Sequence, residues 1–265
     1  GGSDDSYTVG VCQLMVHDAL DQATQGFQDA LKAEVEAAGK TVEFDVQVAG
    51  EANLCTTVIN TFTAKKVDLI MANATPTLLA AANATTTIPV LGTSVTEYGV
   101  ALELENFNGT VGGNISGTSD LAPLKDQAAM LLEWFPNVKN VGLVYCSAEA
   151  NSIYQVNTVK AELESKNVTC TLYPFADTNE LQAVVQKAVD ASDVIYVPTD
   201  NQCASATETI DGICRDAGVP IIAGEENICA GCGVATLSIS YYDLGVATGK
   251  MAAKILKGEA DIAQM

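Results

Sequence analysis

The side chains with most chemistry to offer lie in short polar turns that follow apolar, strand-like runs. Tyr196 and Val197 lead into Pro198, Thr199, Asp200 and Asn201, and a similar run leads into "ANATP", Ala72 to Pro76. Four more turns share the pattern: "CQLMVH" from Cys12 and Gln13, "GTSVTE" from Gly92 through Thr93, Ser94 and Thr96, "CSAEAN" from Cys146 through Ser147 to Asn151, and "GEEN" with Glu225 and Glu226. Lysine and arginine are absent from all six, so a bound carboxylate would meet hydroxyls and the free N–H groups of helix starts. Thr75, Ser94, Ser147 and Asn151 suit that task, while Asp200, Glu225 or Glu226 suits an ammonium group. A small zwitterion fits this set better than a phosphate.

Other reactive side chains have plain structural readings. His17, the single histidine, can touch a ligand or open a helix. Trp134 is expected on a core-facing helix. Tyr98, Tyr145, Tyr154, Tyr241 and Tyr242 can stack on an aromatic ligand or fill the core. "CAGC", Cys229 to Cys232, has the spacing of redox and zinc sites. It does not open a convincing helix, and zinc would need two more ligands, so a local disulfide or structural thiols are expected. No metal and no cofactor is expected.

These turns need elements to position them, and an internal repeat supplies the plan. The first half runs "YTVGVCQ", a helix "ALDQATQGFQDALKAEVEAAGK", a strand "TVEFDVQVA", a helix from Asn53 to Lys65, "VDLIMANATP", a helix, and "IPVLGTS". The second runs "KNVGLVYCS", a helix "NSIYQVNTVKAELESKN", a strand "VTCTLYPFA", a helix from Asn179 to Ala191, "SDVIYVPTDN", a helix, and "VPIIAGE". Strands alternating with helices, each strand nearly all apolar, predict parallel sheets covered on both faces. Leu20, Phe27, Leu31 and Val35 mark the buried stripe of the first helix. Right-handed crossovers bring the turns after successive strands to one edge, where open α/β sheets bind ligands.

The chain has 265 residues, 48% hydrophobic, with a formal net charge of −20 from 33 acids against 13 bases. So acidic a chain does not provide a basic face for nucleic acid, and a repressor's basic helix-turn-helix is missing. "GGSDDS" reads as a flexible lead-in to the first strand.

Six stretches carry a resemblance: "ALDQATQGFQDAL", "VDLIMANATPTLLAAANATTTIPVLGTSVT", "GGNISGTSDLAPL", "VGLVYCSAEANSIYQV", "VIYVPTDNQCASA" and "YYDLGVATGKMAAKILKGE". Together they resemble the ABC-transporter substrate-binding family that includes tryptophan- and other aromatic-amino-acid-binding lipoproteins. The resemblance implies a type I periplasmic-binding-protein fold, with two Rossmann-like doubly wound lobes joined by a hinge. Residues 1–119 and 241–265 would form the first lobe and 120–240 the second, with crossings near "SGTSD" and "SISYYD". A helix over 243–257, with Leu244, Ala247, Met251 and Ile255 on one face, would cover the first lobe.

The resemblance further implies a monomer that closes on a small amino acid between its lobes, aromatic first and branched-chain next. Thr75, Pro76, Thr93, Ser94, Thr96, Asn151, Thr199, Asp200 and Asn201 match segments that line the family's cleft. Cys12 and Cys146 stand where family members commonly have small polar residues. Asp200 would take the ammonium, and Thr75 and Ser94 the carboxylate. The implied partners are an ABC permease and its ATPase, met outside the cytoplasm at the periplasm or cell surface, with the membrane reached through a lipidated cysteine upstream. The alternative is a cofactor-independent amino acid racemase that moves a proton with Cys12 and Cys146, read as equivalent ends of the two first strands.

Overall fold

The computed structural model describes residues 5–265. Most of the lead-in expected at the amino terminus, residues 1–4, lies outside the described residues. The chain divides into two compact units: the first ends at Asp120 and takes back Ser240–Met265, and the second is Leu121–Ile239.

The first unit runs β1 (Ser6–Gln13), α1 (Asp18–Ala37), β2 (Thr41–Val48), α2 (Cys55–Lys65), β3 (Leu69–Asn73), α3 (Thr75–Ala84), β4 (Val90–Val95), α4 (Tyr98–Ala101) and β5 (Ile115–Ser119). Its sheet is parallel, in the order β2-β1-β3-β4-β5. The second unit runs α5 (Leu124–Trp134), β6 (Asn140–Cys146), α6 (Ala150–Glu164), β7 (Thr169–Phe175), α7 (Thr178–Ala191), β8 (Val194–Val197), α8 (Asn201–Ala204), α9 (Thr207–Ala217), β9 (Ile221–Ala223), α10 (Glu226–Cys232) and β10 (Ala235–Thr236). Its sheet is also parallel, ordered β10-β9-β8-β6-β7. Every residue of β3, β4, β8 and β9 is buried, as expected for central strands packed by helices on both faces.

The last helix, α11 (Tyr241–Leu256), belongs to the first unit and packs against α1. Of the expected stripe, Met251 and Ile255 pack partly buried against the first unit's core, Leu244 is half-buried and Ala247 is exposed. The fully buried residues are Tyr241, Gly245, Thr248, Gly249, Ala252 and Ala253. Close approach of the two backbones is the cause: a Cβ on Gly245 would fall 2.0 Å from the carbonyl oxygen of Ala23, and one on Gly26 2.1 Å from that of Tyr242. Small residues set the seam with α1, which a pattern of large apolar residues does not reveal.

Trp134 departs from expectation as well and is 56% exposed. The buried stripe of α5 consists of Leu124, Gln127, Ala128 and Leu131, and it ends one turn before the tryptophan.

Candidate functional site

In the first unit, the carboxyl ends of β3, β4 and β5 carry an unusual concentration of unpaired groups. Thr75 Oγ1, Ser94 Oγ and Asp120 Oδ1 are all buried and without a hydrogen-bond partner, and so is Asn73 Oδ1. Buried polar atoms are ordinarily paired, because desolvation without a partner costs about 1–3 kcal/mol each. The backbone is strained at the same place. Ala74 has φ 105° and Ser94 φ 55°, both in the region that favours glycine, and a register shift separates Gly92 from Val95 where β4 meets β5. Non-glycine residues held there cost on the order of 1–3 kcal/mol. Helix α3 begins at this strained point with Pro76 in its first turn and no side-chain cap, so its N-terminal N–H groups and dipole remain for an anion.

Neighbouring residues of this edge have structural duties. Gln13 donates to Met15 O (2.8 Å) and Asp21 Oδ1 (2.7 Å) and accepts from Thr24 Oγ1 (2.7 Å). Thr93 Oγ1 lies 3.2 Å from the hydroxyls of both Thr118 and Thr248, linking β4 and β5 to α11. Tyr98 is buried and donates to Thr118 O (2.8 Å). His17 caps α1, its Nδ1 accepting from Leu20 N (3.4 Å): the helix-opening reading holds.

The second unit presents a contrast at its strand ends. Asp200 is 1% exposed. Its Oδ1 accepts from Cys203 N (2.8 Å), and its Oδ2 from Cys146 N (2.8 Å) and Ser152 Oγ (2.6 Å). A carboxylate filled in this way holds α8 to β6 and α6, which argues against a second duty as acceptor of a ligand ammonium. Glu149, which the turn pattern did not single out, supports the same helix: its Oε1 accepts from Asn201 N (3.0 Å) and Asn201 Nδ2 (2.6 Å), and its Oε2 from Gln202 N (3.2 Å). Burial above all, then the charge of Asp200 and a hydrogen bond shared with it, pushes the Glu149 carboxyl well above the usual range. The shift favours the neutral form of Glu149 beside the Asp200 carboxyl.

Thr199 is similarly engaged, donating through Oγ1 to Gly224 O (3.2 Å) and through N to Gln155 Oε1 (2.8 Å). Glu225 is buried and caps α10 through Asn227 N (2.7 Å) and Ile228 N (2.5 Å). Ser147 is exposed, with Oγ 3.3 Å from Phe175 O. Asn151 is different, because its Nδ2 is used while its buried Oδ1 has no partner.

The thiols give little support to proton-transfer chemistry. Register pairs Gly10 with Ile70 and Gly142 with Ile195, so superposing the two glycines matches Cys12 to Val144 and Cys146 to Leu14. Cys12 and Cys146 are thus not equivalent ends of their strands. The Cys12 thiol is buried in the core, and a hydrogen bond with Cys55, followed by burial, pushes its pKa far up. Cys146 is pushed up to about 12, chiefly by burial. "CAGC" forms the end of α10, not a helix start, and burial brings Cys232 up to about 12. The shifts disfavour the thiolate, the reactive form, at Cys12, Cys146, Cys229 and Cys232, while the shared hydrogen bond lowers the pKa of Cys55. Among the described residues, no group of three or more His, Cys, Asp and Glu side chains is arranged to hold a metal ion, and no helix is long and apolar enough to cross a membrane.

Comparison with known proteins places this geometry in a family. A tyrosine-binding protein of Clostridioides difficile (strain R20291) is 32% identical over 257 residues, which cover 95% of this chain and 73% of the relative. The structure of an ABC domain in complex with L-Trp from Streptococcus pneumonia is 33% identical, covers 98% of this chain and 88% of its own, and superposes with a TM-score of 0.91. A leucine-binding protein, LivK, of Thermotoga maritima MSB8 shares the fold at 13% identity, with a TM-score of 0.67 over 95% of this chain and 83% of that one. The fold is that of type I periplasmic binding proteins. The model of the ABC transporter substrate binding protein family matches residues 8–263, nearly the whole chain; the chain belongs to that family.

Proposed function

We propose that this protein is the solute-binding component of an ABC importer and that its ligand is an aromatic amino acid: tyrosine, tryptophan or phenylalanine. The observation that carries the reading is the set of buried, unpaired oxygens at the strand ends of the first unit, beside a helix start without a side-chain cap. Thr75 and Ser94 donate their hydroxyl protons to the ligand carboxylate, with the α3 N–H groups and dipole behind them. In the second unit, Asn151 Oδ1 is a buried acceptor without a partner. Thr199, Asp200, Asn201 and Glu225 hold the turns in shape around it. The names of the tyrosine-binding relative and of the L-Trp complex favour an aromatic side chain.

On this reading the protein binds without turnover. It works outside the cytoplasm, delivers its amino acid to a permease and ATPase, and is tethered by a lipid anchor.

A thermal-shift screen of the twenty amino acids, purines and small sugars tests the assignment. A ligand present at a hundred times its Kd, and bound by the folded form alone, adds about 2.7 kcal/mol of stability. Aromatic L-amino acids are expected to raise the melting temperature most. A shift with leucine or valine alone would move the assignment to branched-chain ligands, and shifts confined to sugars or purines would overturn it.

A further inference from the structure

We infer that Asp120, the residue immediately after β5, accepts the ammonium group of the bound amino acid. The inference rests on the amino acid reading above and names the group that recognises the α-nitrogen. Asp120 is 4% exposed. Tyr241 Oη donates to its Oδ2 (2.5 Å) and Thr96 also hydrogen-bonds to the carboxyl, while Oδ1 has no partner. One oxygen fixes the orientation of the group, and the other, a strong acceptor already removed from water, is left for a donor.

Position makes that donor an α-ammonium. Asp120 N donates to Val95 O (3.1 Å), so the acid lies directly across from the residue after Ser94. Strands β3, β4 and β5 are consecutive neighbours in the sheet. Thr75, Ser94 and Asp120 therefore stand on three adjacent strand ends, with a strand spacing of about 4.8 Å. In an α-amino acid the ammonium and carboxylate are attached to one carbon, and the groups that bind them must be close neighbours. Hydroxyl donors on two strand ends and a carboxylate acceptor on the third meet that requirement within a single unit. Asp200, by contrast, has both oxygens already occupied. Burial pushes the Asp120 carboxyl above the usual range; an arriving cation restores the ionised form.

The test compares L-tyrosine and L-tryptophan with their analogues lacking the amino group, 3-(4-hydroxyphenyl)propionate and indole-3-propionate, by titration calorimetry on the wild type and on Asp120→Asn. The amide retains size and an acceptor for Tyr241 but loses the charge. Wild type should prefer the amino acids by about 30-fold or more, the range for a desolvated charge partner, and Asp120→Asn should lose most of that preference through weaker amino acid binding. Tyr241→Phe keeps the acid and should keep the preference. Equal wild-type affinity for amino acid and analogue would overturn the inference without any variant. Tight wild-type binding with the preference intact in a folded Asp120→Asn would overturn it while leaving the amino acid reading in place. A wild type that binds none of the four compounds would overturn both.

Discussion

The turn after β3 and the turn after β8 occupy corresponding places in their sheets, yet they treat their polar atoms in opposite ways. The β8 turn, "PTDN", is the more polar in sequence, and its acid is saturated by its own unit: Asp200 takes three donors, and Glu149 reinforces the same helix start. The β3 turn, "NATP", has no charge at all. It nevertheless buries a hydroxyl without a partner, holds Ala74 at φ 105° and leaves α3 uncapped. A saturated turn builds structure; on the proposed reading, an unsaturated, strained one is kept for the ligand. Polarity alone does not tell them apart, whereas hydrogen-bond satisfaction does.

Changing the saturated side should have the largest effect, and on stability. Asp200→Ala removes a helix cap, worth about 1 kcal/mol, and leaves the Cys146 amide and Ser152 hydroxyl buried without their acceptor, at about 1–3 kcal/mol each. Chemical denaturation should show a loss on the order of 3–7 kcal/mol without added ligand. A loss below about 1 kcal/mol would mean that the turn relaxes and frees Asp200 for a ligand after all.

The raised pKa of Glu149 should be visible as a pH dependence of stability. Its folded pKa is raised, so between the unfolded value of about 4.3 and the higher folded value the native chain holds a proton that the unfolded chain releases. Stability is then greatest below the unfolded value and is lost as pH rises through the folded one, at about 1.4 kcal/mol for each unit of separation. Asp120 and Glu225, both also raised by burial, act in the same direction. Glu149→Gln, which can donate to Asp200 but cannot ionise, should flatten the decline seen in melting curves from pH 5 to 8. An unchanged slope would remove Glu149 from the account.

A smaller gain is expected on the unsaturated side. Ser94→Gly relieves a left-handed backbone and removes a buried unpaired hydroxyl, so the unliganded protein should become more stable by about 1 kcal/mol. Its ligand affinity should fall at the same time. Destabilisation by this change would show that Ser94 serves the fold.

The fold was largely legible from residues. Continuous apolar runs such as "LIMA" and "VIYV" gave parallel buried strands, and the repeated order gave two alike units. The stripe of Leu20, Phe27, Leu31 and Val35 is buried as read. What escaped the pattern is what backbones do at close range. The α11 seam is set by Gly245 and Gly249 against α1, where a missing Cβ matters more than hydrophobicity. Trp134 lies beyond the end of its helix's buried stripe.

The site was legible by place and less so by role. Thr75, Ser94 and Asn151 were singled out as polar groups at strand ends, and each proves to carry an unpaired buried oxygen. Asp200 and Glu225 drew attention by charge, but both act as helix caps, a duty that depends on which N–H groups the next turn leaves open. Asp120, proposed above as the ammonium acceptor, falls in sequence within the chain crossing near "SGTSD". The acid after "GTS" at the end of β5 follows the strand-end pattern of the other turns and was the available signal.

The most direct test of the contrast is a pair of measurements on Thr75→Ala and Ser94→Ala: titration with L-tyrosine or L-tryptophan, and a melting curve without ligand. Each hydroxyl is unpaired in the free protein and, on the proposed reading, donates to a charged group in the complex, a bond worth about 1.5–3 kcal/mol. The account predicts that each substitution weakens binding by roughly 10- to 150-fold while unliganded stability stays level or rises. Unchanged affinity together with a clear loss of stability in both variants would contradict it.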